Sequence, residues 1–204
     1  MIGALALAAL FAAPDPAPIL ARLEAAGRAL KTLRAEFKET KVNVILDEKQ
    51  ETSGRVFLQV PGRLRWDYLH PQPGVMVIKD GRFARYVPRT KQVFRGPAKG
   101  EADLLVGFGP GAADLASKYE VTLLPREEVA GDDTYVLDLE PRQPGLFASI
   151  RLWVDEDNFI PVQTRLTEPT GDHTTIRFES VVVNASLPPS AFDLRLPQDV
   201  EEVQ

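Results

Sequence analysis

The residues best suited to polar chemistry in this chain are two runs of carboxylates and two histidines. Asp132-Asp133 and Asp155-Glu156-Asp157 each bring acids together, and paired acids serve general acid–base catalysis or the binding of hard cations. Both runs lie in turn-forming sequence, with no His, Ser or Cys beside them to complete a catalytic set. Tight turns favour such residues for their own backbone hydrogen bonding, so both are read as solvated turns. His70 and His173 flank loops and are read as surface residues; two histidines are too few for a His-only zinc site. The chain has no cysteine, which removes disulfides, thiolate nucleophiles, Cys-based zinc sites and a lipid-modified N-terminal Cys. A nucleophile elbow, a phosphate loop and metal-ligand spacing are all absent. No enzyme activity, metal or cofactor is expected.

The elements that would position a site must then be sought in the apolar pattern. The chain has 204 residues with 44% hydrophobic content, enough for one domain with a sizeable core. Its net charge of −5 argues against nucleic acid, which demands a basic field. Residues 1–13 form an apolar run too short to span a bilayer and are read as a secretory signal peptide, although no Lys or Arg precedes the run. Residues 14–204 are read as a single domain, exported to the periplasm and expected to be a monomer.

After the stiff Pro14-Asp15-Pro16-Ala17-Pro18, the residues Ile19, Leu23, Ala26, Leu30, Leu33 and Phe37 recur at spacings of three and four. That rhythm predicts one amphipathic helix, which must lie on another apolar surface. Beyond Phe37 the period shifts towards two, with Val42–Leu46 read as a strand, residues 47–50 as a turn and Glu51–Val60 as the returning strand. Along Arg63–Leu69, Leu64, Trp66 and Tyr68 share one face while Arg63, Arg65 and Asp67 share the other. Val75–Lys79 and Arg82–Val87 flank Asp80-Gly81, a strong hairpin turn. A short helix is predicted over Glu101–Phe108 and a further helical turn over Ala112–Ser117. Strands resume at Tyr119–Leu124, Thr134–Glu140, Ala148–Asp155, Ile160–Thr167 and Thr174–Val183. So much hairpin sequence, apolar on one face and charged on the other, does not stay flat. The expected fold is mainly β with α: an unclosed antiparallel half-barrel of about ten to eleven strands covered by two or three helices.

Several of these segments resemble a known family. Leu30, Leu33, Ala35 and Phe37 give the pattern Leu-x-x-Leu-x-Ala-x-Phe, followed by Gly54–Trp66 with its Pro61-Gly62-Arg63-Leu64-Arg65-Trp66 core and by Ile78-Lys79-Asp80-Gly81. The ending Phe192–Val200 matches a Phe followed by Pro-x-x-Val. From about Leu20 to Val200 the chain looks like the LolA-type periplasmic carriers of outer-membrane lipoproteins. The resemblance implies an acyl-chain carrier that receives acylated lipoproteins from an inner-membrane ABC lipoprotein-releasing transporter and delivers them to an outer-membrane lipoprotein acceptor. It also implies lid helices latched by an Arg directly before the core Pro. Val60 stands at that position here, so the usual latch is not expected.

With the resemblance, the apolar strand faces become candidate walls of an acyl cavity: Phe57, Leu64, Trp66, Tyr68, Met76, Phe83, Tyr86, Ile150, Leu152, Ile160, Val162, Ile176 and Phe178. Ile19, Leu23, Leu30, Leu33 and Phe37 become the lid helix. Period two alone does not separate cavity lining from packing against helices. A second reading, an envelope sensor or lipid-binding module of the same fold, expects a partner domain that the sequence does not display. A membrane-anchored acceptor expects a lipidated Cys, and an enzyme of lipid metabolism expects a catalytic set; the chain has neither.

Overall fold

The structure, a computed structural model, describes residues 14–98 and 105–203. The expected signal peptide, residues 1–13, lies outside the described residues, as do residues 101–104 of the short helix predicted over Glu101–Phe108. The rest of that stretch, residues 105–108, forms turns.

Helix α1, Ala17–Ala29, opens where Pro18 fixes its first turn and the Asp15 carboxylate accepts a hydrogen bond from the Ala17 N–H at 2.9 Å. It stops eight residues short of the predicted stripe. Asn184, far along the chain, accepts from the Lys31 N–H at 2.7 Å and donates to the Ala29 carbonyl at 3.3 Å. This one amide ends the helix and starts strand β1, Thr32–Asn43. Leu33 and Phe37 therefore belong to a strand and not to the lid helix, and Leu30 is the extended residue that caps α1. The stripe misleads because a spacing of four fits one helical turn and also two strand repeats. Burial settles it: Leu33, Ala35 and Phe37 are buried while Arg34, Glu36 and Lys38 between them are exposed.

The remaining strands are β2 (Glu48–Gln59), β3 (Arg63–His70), β4 (Gly74–Lys79), β5 (Arg82–Val87), β6 (Gln92–Pro97), β7 (Tyr119–Val129), β8 (Asp132–Pro141), β9 (Ser149–Asp155), β10 (Pro161–Thr167), β11 (His173–Val183) and β12 (Glu201–Val203). All twelve join one sheet in the order β12-β6-β5-β4-β3-β2-β1-β11-β10-β9-β8-β7. Two antiparallel meanders, β1–β6 and β7–β11, meet where β1 pairs with β11, Phe37 opposite Phe178. The short β12 runs parallel to β6 and takes the count past the expected ten to eleven. The β1–β2 turn also comes earlier than predicted, at residues 44–47.

The sheet curls without closing. Trp66 on β3 approaches Phe178 on β11, three strands away, with ring centroids 6.3 Å apart. The concave face carries the core in two joined halves: one around Phe37, Trp66, Ile176 and Phe178, the other around Leu137, Leu139, Ile150, Leu152 and Leu166. The convex face is largely charged, with two patches covered. A turn of 3-10 helix at Pro189–Phe192 lies over β3 and β4, where Phe192 and Val77 are buried. Arg65 holds that strap by donating to the Ala191 and Asp193 carbonyls. The second patch gathers Val129, Val136, Trp153 and Val162.

Gly54 lets β2 pass close to β3, beside a register shift between Ser53 and Gly54. A Cβ there would stand 1.9 Å from the Asp67 carbonyl oxygen and 2.8 Å from Phe37 Cε1. Neither backbone can yield without breaking the ladder, so Gly54→Ala is expected to destabilise the protein by about 1–3 kcal/mol. Urea denaturation measures it, and a midpoint equal to the parent's would show that the strands can part at no cost.

Candidate functional site: the concave face and its cover

Ten of the thirteen cavity candidates lie on the concave side. Leu64, Trp66, Met76, Ile160, Ile176 and Phe178 are buried in the first half of the core, with Tyr68 and Phe83 packed against it, and Ile150 and Leu152 are buried in the second. Three candidates do not belong there. Phe57 faces outward between Arg34 and Arg65, its cross-strand partners, and Val56 and Leu58 take the inner positions instead. Tyr86 follows the inner Phe83 by three residues and falls on the convex side of β5. Val162 sits in the convex patch with Trp153, because an irregularity between Pro161 and Gln163 breaks the alternation after Ile160. Leu137, Leu139, Val154, Leu166 and Thr164 also line the concave face without being among the candidates, although Leu137 and Leu139 alternate plainly with Val136, Asp138 and Glu140.

A row of aromatic rings crosses this face. Phe108 packs edge-on against Phe178 at 5.1 Å, Phe178 meets Trp66, Trp66 meets Phe37 at 4.8 Å, and Phe37 meets Tyr68 edge-on at 5.7 Å. The cover is α1 together with residues 105–115 and the following helical turn α2, Leu115–Lys118. Leu23 of α1 is fully buried against the second half of the core, Leu30 and Phe108 against the first, and Ala26 touches both. Ile19 and Leu20 pack at the rim, where Arg22 lies over the Phe159 ring at 5.0 Å. Gly27 permits the tightest contact: a Cβ on it would stand 2.6 Å from the Gly109 carbonyl oxygen and 2.7 Å from Ala112 Cβ. The two parts of the cover are thus packed backbone to backbone.

Val60 lies beside this cover. Its N–H donates to the Lys31 carbonyl at 2.8 Å, and its Cγ2 is 3.0 Å from where a Gly109 Cβ would be. An apolar contact therefore occupies the position at which the resemblance implies an Arg. Arg63 and Arg65 do not replace it; Arg63 is directed to Gln59 at 3.4 Å, and Arg65 pairs with Asp67 at 2.7 Å on the convex side.

Beyond Tyr68 the concave face turns polar. Glu39, Lys41, Gln50, Thr52, Tyr68 and Arg85 surround an open cavity of about 340 Å³. Burial pushes the Glu39 carboxyl above its usual range, against the opposing pull of Lys41 and Arg85. Burial, with the Glu39 charge adding to it, pushes the Tyr68 hydroxyl up to about 12. Tyr68 is therefore a neutral hydrogen-bond donor throughout the physiological range.

The carboxylate runs behave as turn residues. Asp155 accepts from the Asp157 and Asn158 N–H groups at 3.0 and 2.9 Å, and Glu156 pairs with Arg126 at 2.6 Å. His70 is exposed, and His173 lies against the Gly171 carbonyl. No group of three His, Asp or Glu side chains is arranged for a metal ion among the described residues. The arrangement is a large apolar face, a small cover packed on it and a polar end.

Known proteins share this architecture. Residues 28–195 match the family described as "Outer membrane lipoprotein carrier protein LolA". The "Outer-membrane lipoprotein carrier protein" of Chromobacterium violaceum is 32% identical over 206 residues, covering 100% of this chain and 96% of its own. Among solved structures, an uncharacterized conserved protein from Thermus thermophilus superposes with a TM-score of 0.62 at 15% identity, covering 93% of this chain and 99% of its own. Pseudomonas aeruginosa MucB, solved with MucA, superposes with a TM-score of 0.56 at 21% identity, covering 89% of this chain and 62% of its own. At such identities the structural likenesses establish the fold and no more. The family match spans most of the chain, and with a full-length relative of the same description it leads to one conclusion: this chain belongs to the LolA family of outer membrane lipoprotein carrier proteins.

Proposed function

We propose that the protein is a periplasmic carrier that holds the acyl chains of lipoproteins against its concave face and ferries them from the inner to the outer membrane. The observation that carries this reading is the covered face itself. Phe37, Trp66, Leu152 and Ile176 are between 0 and 1% exposed, and what covers them is a short helix and a turn-rich segment rather than a second sheet. Displacing that cover would exchange apolar contacts within the chain for contacts with an acyl chain. Each acyl CH₂ removed from water is worth roughly 0.8 kcal/mol, so lipid chains cross an aqueous compartment only when shielded.

Membership of the family supports a wider scheme, which is part of this proposal. The cargo arrives from an inner-membrane ABC transporter and leaves to an outer-membrane acceptor, and the carrier travels as a monomer exported by its N-terminal segment. The polar end around Glu39, Tyr68 and Arg85 suits the peptide part of the cargo. The Chromobacterium violaceum carrier is matched almost from end to end, which favours the carrier reading over a sensor or binding module of the same fold.

Photo-crosslinking tests the reading without introducing charge into the core. A benzophenone amino acid replacing Leu152 is expected to capture acylated lipoprotein in the periplasm, and the same group replacing Phe57 on the convex side is expected to capture none. Free lipid alone at position 152 would convert the carrier of lipoproteins into a carrier of lipids. Equal capture at both positions would falsify the concave site. Widening Gly27 provides an independent check. Gly27→Leu wedges α1 from the turn 109–112, and is expected to raise the binding of a hydrophobic dye severalfold, read by fluorescence, while the far-ultraviolet spectrum keeps its strand signal.

A further inference from the structure

Three buried side-chain polar atoms have no hydrogen-bond partner in the protein among the described residues: Trp66 Nε1, Thr164 Oγ1 and Arg177 Nε. Arg177 lies on the convex side and still pairs with Glu179 through Nη2 at 2.9 Å. The other two stand inside the core. Trp66 is 1% exposed and wedged between the Phe37 and Phe178 rings. Thr164 is 0% exposed, directly opposite Leu152 on one side and Ile176 on the other. A desolvated donor without an acceptor is costly, and proteins rarely retain one without a use.

We infer that the Trp66 indole N–H and the Thr164 hydroxyl are donors for carbonyl oxygens of ester- or amide-linked acyl chains, so that the concave face selects acylated molecules over equally greasy ones that lack a carbonyl. This deepens the carrier reading and rests on it. The chemistry is specific. An indole N–H only donates, and a hydroxyl can donate. The carbonyl that joins an acyl chain to its glycerol or amine is an acceptor that enters an apolar interior with the chain; an alkyl ether brings no carbonyl. The placement fits as well. Trp66 is on β3 and Thr164 on β10, with three strands between them in a sheet that curls back on itself. Two donors on two walls match a lipid that presents two chains, each with its own carbonyl.

The energetic effect falls on the exchange between empty and loaded forms. In the empty form both donors are dry and unpaired, a cost carried by the closed core. When a carbonyl arrives the cost is removed, and in a dry site the new bond is stronger than in water. The same chain length without carbonyls recovers nothing, so the discrimination is set by the two donors and not by cavity volume.

The test compares a diacylglyceryl lipopeptide with its dialkyl ether analogue of equal chain length, using the full protein and two variants, benzothienylalanine in place of Trp66 and Thr164→Val, which keep shape and remove the donor. The parent is expected to prefer the ester form. Each variant is expected to lose about three- to tenfold in affinity for the ester and less than about twofold for the ether, with an unchanged or raised urea midpoint when empty. Equal losses for both ligands, or none for the ester, would overturn the inference and leave the carrier reading intact. A lowered midpoint for both empty variants would likewise overturn it, by showing that the donors were already satisfied. Failure of the parent to bind either ligand would remove the carrier reading itself.

Discussion

A single curved sheet has one face to hide and no second sheet to hide it against. That constraint governs the rest of this structure. The meanders β1–β6 and β7–β11 meet at the β1–β11 seam and curl their apolar sides inward. The curl brings Trp66 against Phe178 but does not close the sheet. What remains open must be covered by the chain's own non-sheet segments, and among the described residues these are small: thirteen residues of α1, a few turns over 105–115 and one turn of α2. Such a helix is marginal alone in water and owes its order to the face it covers. Cover and core are therefore the same thing, viewed from two sides.

The convex face obeys the complementary rule. It meets water, so it can carry the charges, and ion pairs such as Arg65–Asp67, Arg151–Asp138 and Lys38–Glu179 run across neighbouring residues and strands. The more exposed of these, such as Lys38–Glu179, contribute little each. Where the convex side does hold a large apolar group it is managed locally: Trp153 donates to Glu127 at 2.7 Å and lies beneath Arg151 and Arg165, and Val77 is hidden by the strap at Pro189–Phe192. The ion pairs gather on this side, and the contacts between the cover and the concave face are mainly apolar.

Most of the architecture was legible in the sequence, because a half-buried antiparallel sheet writes its pleat directly into the residue pattern. The hairpin at Asp80-Gly81, the strands after Tyr119 and the inner faces of β3 and β9 follow from alternation alone. Three kinds of information were not local. Asn184 ends α1 from 155 positions away along the chain, so the Leu33–Phe37 stretch read as helix. A strand irregularity after Pro161 turned Val162 outward, and the phase of β2 and β5 put Phe57 and Tyr86 outside although both are aromatic. β12 pairs in parallel over three residues, too short for any periodicity to register. The polar end at Glu39, Tyr68 and Arg85 was equally invisible, since it exists only where β1, β3 and β5 face a common space.

On the carrier reading, the apolar character of the cover bears on how cargo would be exchanged. In an Arg-latched lid, opening must break directional hydrogen bonds before any cargo contact is gained. Here Val60 presents a methyl group to the turn at Gly109, and Leu23, Ala26 and Leu30 complete the seal with hydrocarbon. Hydrocarbon leaving the concave face as the lid lifts is replaced by hydrocarbon of an incoming chain, at about the same worth per CH₂. On the carrier reading the hydrocarbon part of the exchange is then close to balanced in both directions, with α1 free to return as soon as the chain departs. A tightly bound cargo would be delivered slowly; a nearly balanced exchange lets the membranes and partner proteins at each end decide which way it runs. The cation–π contact of Arg22 on Phe159 adds a polar element at the rim, and Asn184 holds the Ala29 carbonyl at the other end of the helix, so α1 is tethered at its C-terminal end and sealed by hydrocarbon along its length.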